Sequence, residues 1–224
     1  MIAACLDSTN LKAEAIQEDI RILCEEAVCY GMTAVCIHPW RLARARDYLA
    51  GSRVKLCTVI GFPLGAEGGA TKLFSARQAL VQGASELDMV INIGALKDRD
   101  YNLVKQEIKS LLSLKQEYDF LLKVIVETAL LKKTELETVT RLVSESGADF
   151  IKTSTGFSAR GVSLEDIRII GAHKSKELKI KASGGVRELE FALQLIEAGV
   201  DRIGSSHAAA LVKEYRQGGG LLKG

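Results

Sequence analysis

Only two prolines and one tryptophan occur in 224 residues, and aromatic side chains make up 5% of the chain. No Ser/Pro-rich or low-complexity stretch is present to act as a linker, so one uninterrupted domain over residues 1–224 is expected. Charge of either sign is also not in excess. The formal net charge is +2 with no basic run, which argues against a nucleic-acid partner. No apolar stretch reaches the roughly 20 residues needed to span a bilayer. The N-terminal "MIAACLDSTNLK" has neither a basic leader nor a long apolar core, so no secretory signal is expected. The five cysteines (Cys5, Cys24, Cys29, Cys36, Cys57) are odd in number and show no CxxC spacing. That disfavours a disulfide framework or a zinc site and favours a reducing cytoplasm. Nothing in the pattern calls for a metal or a cofactor.

What is present is a recurring junction. A helical segment ends in glycine, and a short apolar strand begins soon after: "YGMTAVCIHP" at Gly31, "QGASELDMVINIG" at Gly83, "SGADFIKTST" at Gly147 and "AGVDRIGSS" at Gly199. Glycine takes the left-handed position that closes a helix, and the chain drops directly into a strand. Alternating α and β with short loops implies a parallel sheet with right-handed crossovers.

Eight strands are expected, over 2–7, 33–38, 55–61, 86–92, 121–127, 149–154, 179–183 and 201–205. The clearest helical periodicity falls on 11–30, 98–118, 132–146 and 187–198. Within "STNLKAEA" lies an expected N-cap for the first of these, and Asp98 is an expected N-cap further on. Eight βα units in this length fit a small TIM (β/α)8 barrel. The rival, an open doubly wound sheet, usually announces a nucleotide with GxGxxG or GxxxxGK[ST], and neither motif occurs.

Strand alternation then sorts side chains into two faces. Leu87, Met89, Ile91 and Ile93 suit packing against the helical ring, while Asp88, Val90 and Asn92 look into the barrel. The same parity turns Phe150, Lys152 and Ser154 inward, with Lys179, Lys181 and Ser183, with Lys123, Ile125 and Glu127, with Cys5 and Asp7, and with Cys36. Lys152, Lys181 and Asp88 fall at or near the C-terminal ends of their strands, where enzymes of this architecture work. Lys123 and Lys179 open their strands and are expected nearer the bottom. Trp40 is expected to serve packing.

A lysine attacks a carbonyl only as the free amine, and desolvation or a neighbouring cation favours that form. Two inward lysines on adjacent strands, with a carboxylate to shuttle protons, describe Schiff-base chemistry. Which lysine is covalent stays open at this point. Glycines beside hydroxyls recur in "STGFS", "ASGGVR" and "RIGSSHAA". Loops after the last strands of a barrel commonly take phosphate, and Gly184, Gly185, Arg187, Ser205 and Ser206 suit that role.

These residues resemble a known family. "ELDMVINIGAL", "LLKVIVETALL", "GADFIKTSTGFS", "KIKASGGVR" and "DRIGSS", with shorter echoes in "LDSTNLK", "AVCIHP" and "TVIGFPLG", are similar to deoxyribose-phosphate aldolase from about residue 6 to 210. The resemblance implies a metal-independent class I aldolase on a TIM barrel, with a phosphorylated sugar and aldehydes as its small-molecule partners and no nucleic acid or membrane. It implies Lys152 as the Schiff-base residue, Lys181 as the group that lowers the pKa of Lys152, and Asp88 as proton donor and acceptor. It implies phosphate among Gly156, Gly184, Gly185, Arg187, Gly204 and Ser206, with Asp7 also placed at the substrate. Members are often dimers, so a homodimer is an expected assembly. The chain departs from the usual pattern at Ser8, where histidine is common, at Arg160, where a small residue is common, and at His207 beside the phosphate loop. A related lysine aldolase or transaldolase, and a catalytically silent sugar-phosphate-binding barrel, are the alternative readings. "RQGGGLLKG", about 216–224, is expected to be a flexible tail.

Overall fold

The computed structural model describes residues 2–218. Eight parallel strands close into a barrel in sequence order: β1 Leu6–Asn10, β2 Ala34–Ile37, β3 Lys55–Ile60, β4 Glu86–Val90, β5 Leu121–Ile125, β6 Phe150–Lys152, β7 Lys179–Ser183 and β8 Arg202–Ser205. The outer ring comprises α1 Gln17–Tyr30, α2 Leu42–Tyr48, α3 Gly69–Val81, α4 Ile93–Lys97, α5 Tyr101–Leu112, α6 Lys133–Ser146, α7 Leu164–His173, α8 Leu189–Glu197 and α9 Ala208–Gly218. This is the TIM-barrel architecture expected from the repeating junctions. Gly31 and Gly147 show why those junctions were readable. Both sit past a helix end at positive φ, 69° and 83°, a region side chains rarely enter.

The core is double. Leu87, Met89, Ile91, Val124, Ile151, Ile180 and Ile203 face outward and pack into one large cluster with the helices. Inside the barrel the apolar cluster is small, consisting of Leu11, Ala34, Cys36, Cys57 and Val59 with Phe62 against it. The same interior also holds Val90, Ile125 and Phe150 and, beside them, a group of buried charges, Asp7, Glu86, Asp88, Lys123, Lys152, Lys181 and Arg202, which places the functional site.

Several boundaries differ from the sequence reading, each for a packing reason. Residues 2–5 form a 3-10 turn, and β1 starts at Leu6 and runs through Asn10. Ser8, Thr9 and Asn10 therefore pair with Val35, Cys36 and Ile37 on β2, so "STN" belongs to the ladder and does not cap α1. Helix α1 opens later, at Gln17 after Ile16. Asp98 follows α4 at its C-terminal end, and it is Asp100 that caps α5 by accepting from the Leu103 amide at 3.0 Å. Asn92 leaves the barrel interior because its side chain accepts from the Ala95 amide at the start of α4. Cys5 lies in the opening 3-10 turn and is half-buried, not within a strand. Trp40 is 67% exposed with the Arg41 guanidinium 3.5 Å above its ring, a surface stack in place of core packing. Arg216–Gly218 continue α9, while 219–224, the remainder of the expected flexible tail, lie outside the described residues.

Candidate active site

Strand register assembles the site. Asp88 on β4 pairs with Lys123 on β5, Ile125 pairs with Lys152 on β6, and Lys152 pairs with Lys181 on β7. Three inward lysines on consecutive strands thus converge on one carboxylate. Asp88 Oδ2 accepts from Lys152 Nζ at 2.8 Å and from Lys181 Nζ at 2.7 Å, while Oδ1 accepts from Lys123 Nζ at 2.8 Å. Below this hub Lys181 also meets Asp7 Oδ2 at 2.6 Å, and Lys123 meets Glu86 Oε2 at 2.6 Å. Arg202 bridges the two lower carboxylates, reaching Asp7 Oδ1 at 2.5 Å and Glu86 Oε1 at 2.9 Å.

Asp7, Asp88, Lys123 and Lys181 have no solvent exposure. Isolated charges so deep would cost several kcal/mol each, so the network survives through mutual pairing. Burial alone would raise the Asp88 carboxyl, but Lys123, Lys152 and Lys181 together outweigh it and hold it well below the usual range. Asp7 follows the same logic, with Lys181, Lys123 and Arg202 overcoming desolvation. For Lys181, burial pushes towards the neutral amine, and the attraction of Asp7 and Asp88 reverses this and raises its pKa. Lys181 is therefore a fixed ammonium. The network sets four cations, Lys123, Lys152, Lys181 and Arg202, against three carboxylates, Asp7, Glu86 and Asp88. One proton can leave it without stranding an unpaired anion.

Above the network a cavity of about 480 Å³ opens at the C-terminal ends of the strands. Lys152 lies on its wall, whereas Asp88, Lys181 and Asp7 lie beneath it. The structure thus separates the two central lysines: Lys152 is 2% exposed and reaches the cavity, and Lys181 is sealed between two carboxylates. Asp7 supports Lys181 and Arg202 and does not line the cavity, so its place differs from a substrate contact.

The other predicted residues, Gly156, Gly184, Gly185, Arg187, Gly204 and Ser206, all line the cavity, as do Lys12 and His207. No carboxylate among the described residues does, so the mouth they form is an anion-receptive surface. Three loops are laced together there. Ser183 donates to the Ser154 carbonyl at 2.6 Å, Ser205 donates to the Val186 carbonyl at 2.6 Å, and the His207 amide donates to Ser205 Oγ at 2.9 Å. Gly161 packs against Gly184 so closely that a Cβ on it would stand 1.9 Å from the Gly184 oxygen. Gly161→Ala should therefore force the backbones apart and destabilise the protein by about 1–3 kcal/mol. An unchanged urea midpoint would contradict this packing.

Sequence reasoning missed Glu86 and Arg202, and it placed Lys123 away from the chemistry. Their common signal was inward parity, Glu86 and Arg202 opening their strands and Lys123 lying at the middle of β5 and not at its start, but only the register shows that Lys123 reaches Asp88. Among the other residues singled out, Arg160 turns away from the cavity to pair with Asp166 at 2.6 Å, and Ser8 is buried in β1. Lys179 is exposed. Glu127 is buried at positive φ, 54°, and accepts from the Thr155 amide at 3.2 Å, which fixes the loop after β6.

Residues 4–216 match the DeoC/LacD family aldolase pattern. A deoxyribose-phosphate aldolase from Thermococcus kodakarensis is 48% identical over 214 residues, covering 95% of this chain and 96% of that one. Among solved structures, the aldolase QR15 superposes with a TM-score of 0.93 at 37% identity, covering 99% of each chain. A deoxyribose phosphate aldolase from Aeropyrum pernix, described as having a unique tetrameric structure, gives a TM-score of 0.89 at 32% identity over 96% of this chain and 91% of that one. On these likenesses over nearly its whole length, the chain belongs to the DeoC/LacD family of aldolases.

Proposed function

We propose that the enzyme reversibly cleaves 2-deoxy-D-ribose 5-phosphate to acetaldehyde and D-glyceraldehyde 3-phosphate, in the breakdown of deoxyribose, with Lys152 as the nucleophile. The observation that carries this reading is the position of Lys152, a buried amine on the wall of an anion-receptive cavity and 2.8 Å from Asp88. In the open-chain sugar, attack by the Lys152 amine on the C1 aldehyde gives a carbinolamine. Loss of water then gives the protonated imine. That imine is the electron sink: the C2–C3 bond breaks, its electron pair becomes the enamine, and the C3 hydroxyl becomes the aldehyde of the departing three-carbon phosphate. Protonation at C2 and hydrolysis release acetaldehyde and restore the lysine. Asp88 is placed to take a proton from the nitrogen and return one during the carbinolamine steps. Lys181, held as an ammonium by Asp7 and Asp88, fixes the carboxylate that Lys152 shares and keeps it in place beside the reacting nitrogen.

The phosphate would sit among Gly156, Gly184, Gly185, Arg187, Gly204 and Ser206. Gly184 and Gly185 both have positive φ, 84° and 77°, and with no side chain they leave their backbone open to a ligand at the cavity wall. Arg187→Ala should raise KM for the phosphorylated sugar by about 10–100-fold, the worth of a charge-assisted hydrogen bond. It should leave KM for unphosphorylated 2-deoxyribose nearly unchanged. Equal losses on both sugars would remove Arg187 from the phosphate site.

The reading places the enzyme in the cytoplasm, supported by five free thiols. No helix among the described residues is long and apolar enough to cross a membrane. The reading also includes a homodimer, supported by Phe74 and Val81, which are exposed two turns apart on one face of α3. Borohydride reduction with 2-deoxyribose 5-phosphate, followed by peptide mapping, tests the function: an adduct on the Lys152 peptide is expected. Binding of the sugar phosphate with no adduct and no turnover would replace the aldolase by a silent binding barrel.

A further inference from the structure

The sequence shows no metal motif, yet strand register brings two thiols to the central carboxylate. Cys36 on β2 and Cys57 on β3 are direct ladder partners, both turned into the barrel and without solvent exposure. Cys57 Sγ lies 3.2 Å from Asp88 Oδ1, and Cys36 Sγ lies 3.9 Å from Asp88 Oδ2. A donor atom from each of the three residues falls within 4.8 Å of the other two. We propose that Cys36, Cys57 and Asp88 form a binding site for one soft divalent cation of the zinc–cadmium class, and that its occupancy inhibits the enzyme.

A tetrahedral ion with metal–sulfur bonds near 2.3 Å and metal–oxygen bonds near 2.1 Å keeps its ligand atoms roughly 3.6–3.8 Å apart. The thiol–carboxylate distances bracket that range, so small side-chain adjustments suffice. Two sulfurs select a soft cation over magnesium or calcium, and three protein ligands leave the fourth position for water.

Electrostatics is the apparent objection, because three lysines surround Asp88. The charge balance answers it. Two neutral thiols and a carboxylate carry one negative charge. On binding, each thiol releases its proton, so two protons leave as a dication enters, and the cluster again carries one negative charge. The lysines face the same net charge before and after. Lys123 Nζ, 3.3 Å from Cys57 Sγ, is placed to donate to the resulting thiolate and hold it from outside the ligand set. Inhibition follows because the carboxylate shared by Lys152 and Lys181 becomes a ligand and no longer exchanges protons. This inhibitory step rests on the proposed function, whereas binding itself does not.

Metal-free enzyme titrated with cadmium chloride should develop cadmium–thiolate ultraviolet absorption that saturates at one buried ion per chain. Turnover should fall in parallel and be restored by EDTA. Cys36→Ser and Cys57→Ser should each weaken binding by at least about 100-fold, while Cys29→Ser, which changes an exposed thiol on α1, should leave the buried site intact. Cadmium-113 NMR of the unaltered enzyme counts sulfur ligands without any variant, and a signal from a two-sulfur site is expected. Wild-type affinity in Cys57→Ser, or an NMR signal from oxygen and nitrogen ligands alone, would overturn the site. Full two-sulfur occupancy with undiminished turnover would overturn the inhibition. Metal-free enzyme that never turns over would fail the functional reading, with the absorption and NMR results still deciding the site.

Discussion

Lys152→Arg enzyme should form no borohydride-stable adduct with 2-deoxyribose 5-phosphate, and its turnover should fall by about 10⁴-fold or more, the scale on which covalent catalysis acts. The substitution is chosen to spare the fold. A guanidinium keeps a positive charge beside Asp88, so the balance of four cations against three carboxylates is preserved. What disappears is an amine able to lose a proton and attack a carbonyl, because guanidinium stays protonated at any working pH. A matching result with Lys181→Met separates the two lysines. Lys181 lies beneath the cavity, locked to Asp7 and Asp88, and cannot meet the sugar directly. Its loss should slow the trapping reaction while leaving the adduct on Lys152. An adduct mapped to Lys181 in the unaltered enzyme would reverse the assignment.

The barrel was readable because its punctuation is local. Gly31 and Gly147 mark helix ends through their own backbone requirements, and the apolar runs after them need no knowledge of the rest of the chain. Lys152 and Asp88 were readable for a related reason: a charge inside an apolar strand contradicts its surroundings and asks for a partner. The partners themselves were harder. Inward parity looks alike whether a lysine opens its strand and reaches solvent, as Lys179 does, or lies mid-strand and is sealed in, as Lys123 is. What distinguishes them is that Lys123 pairs across the ladder with Asp88, a relation between positions 35 residues apart. Arg202 and Glu86 were missed on the same ground, since their value lies in bridging β8 to β4 across the barrel floor. The convergence of Cys36 and Cys57 is likewise a product of register. Where the sequence reading erred outright, at "STN" and at Asp98, residues with good capping chemistry were claimed by a stronger neighbouring demand. In one case this was the β1–β2 ladder, in the other the end of α4 and the better-placed Asp100.

Asp88 should be the most costly residue to change for stability and chemistry together. Asp88→Asn keeps the shape but removes the anion shared by Lys123, Lys152 and Lys181, leaving three buried ammonium groups with two carboxylates beneath them. Breaking a buried ionic cluster by deleting one partner costs about 3–5 kcal/mol, and loss of the proton carrier should lower turnover by about 10²–10⁴-fold. The pH dependence identifies the cause. The three lysines hold the Asp88 carboxyl well below its ordinary value of 3.8, despite burial. When a folded-state pKa is depressed, the unfolded chain takes up the proton first as pH falls. The stabilisation is therefore complete above the ordinary carboxylate range and is lost as pH descends towards the folded value. The difference in unfolding free energy between wild type and Asp88→Asn should stay level from pH 7 to about pH 5 and narrow only below about pH 4. Urea unfolding across that series measures it directly. A difference that persists undiminished into strong acid would mean that Asp88 stabilises the barrel by packing. A hub built on charge requires the two proteins to converge once the carboxylate is neutral in both states.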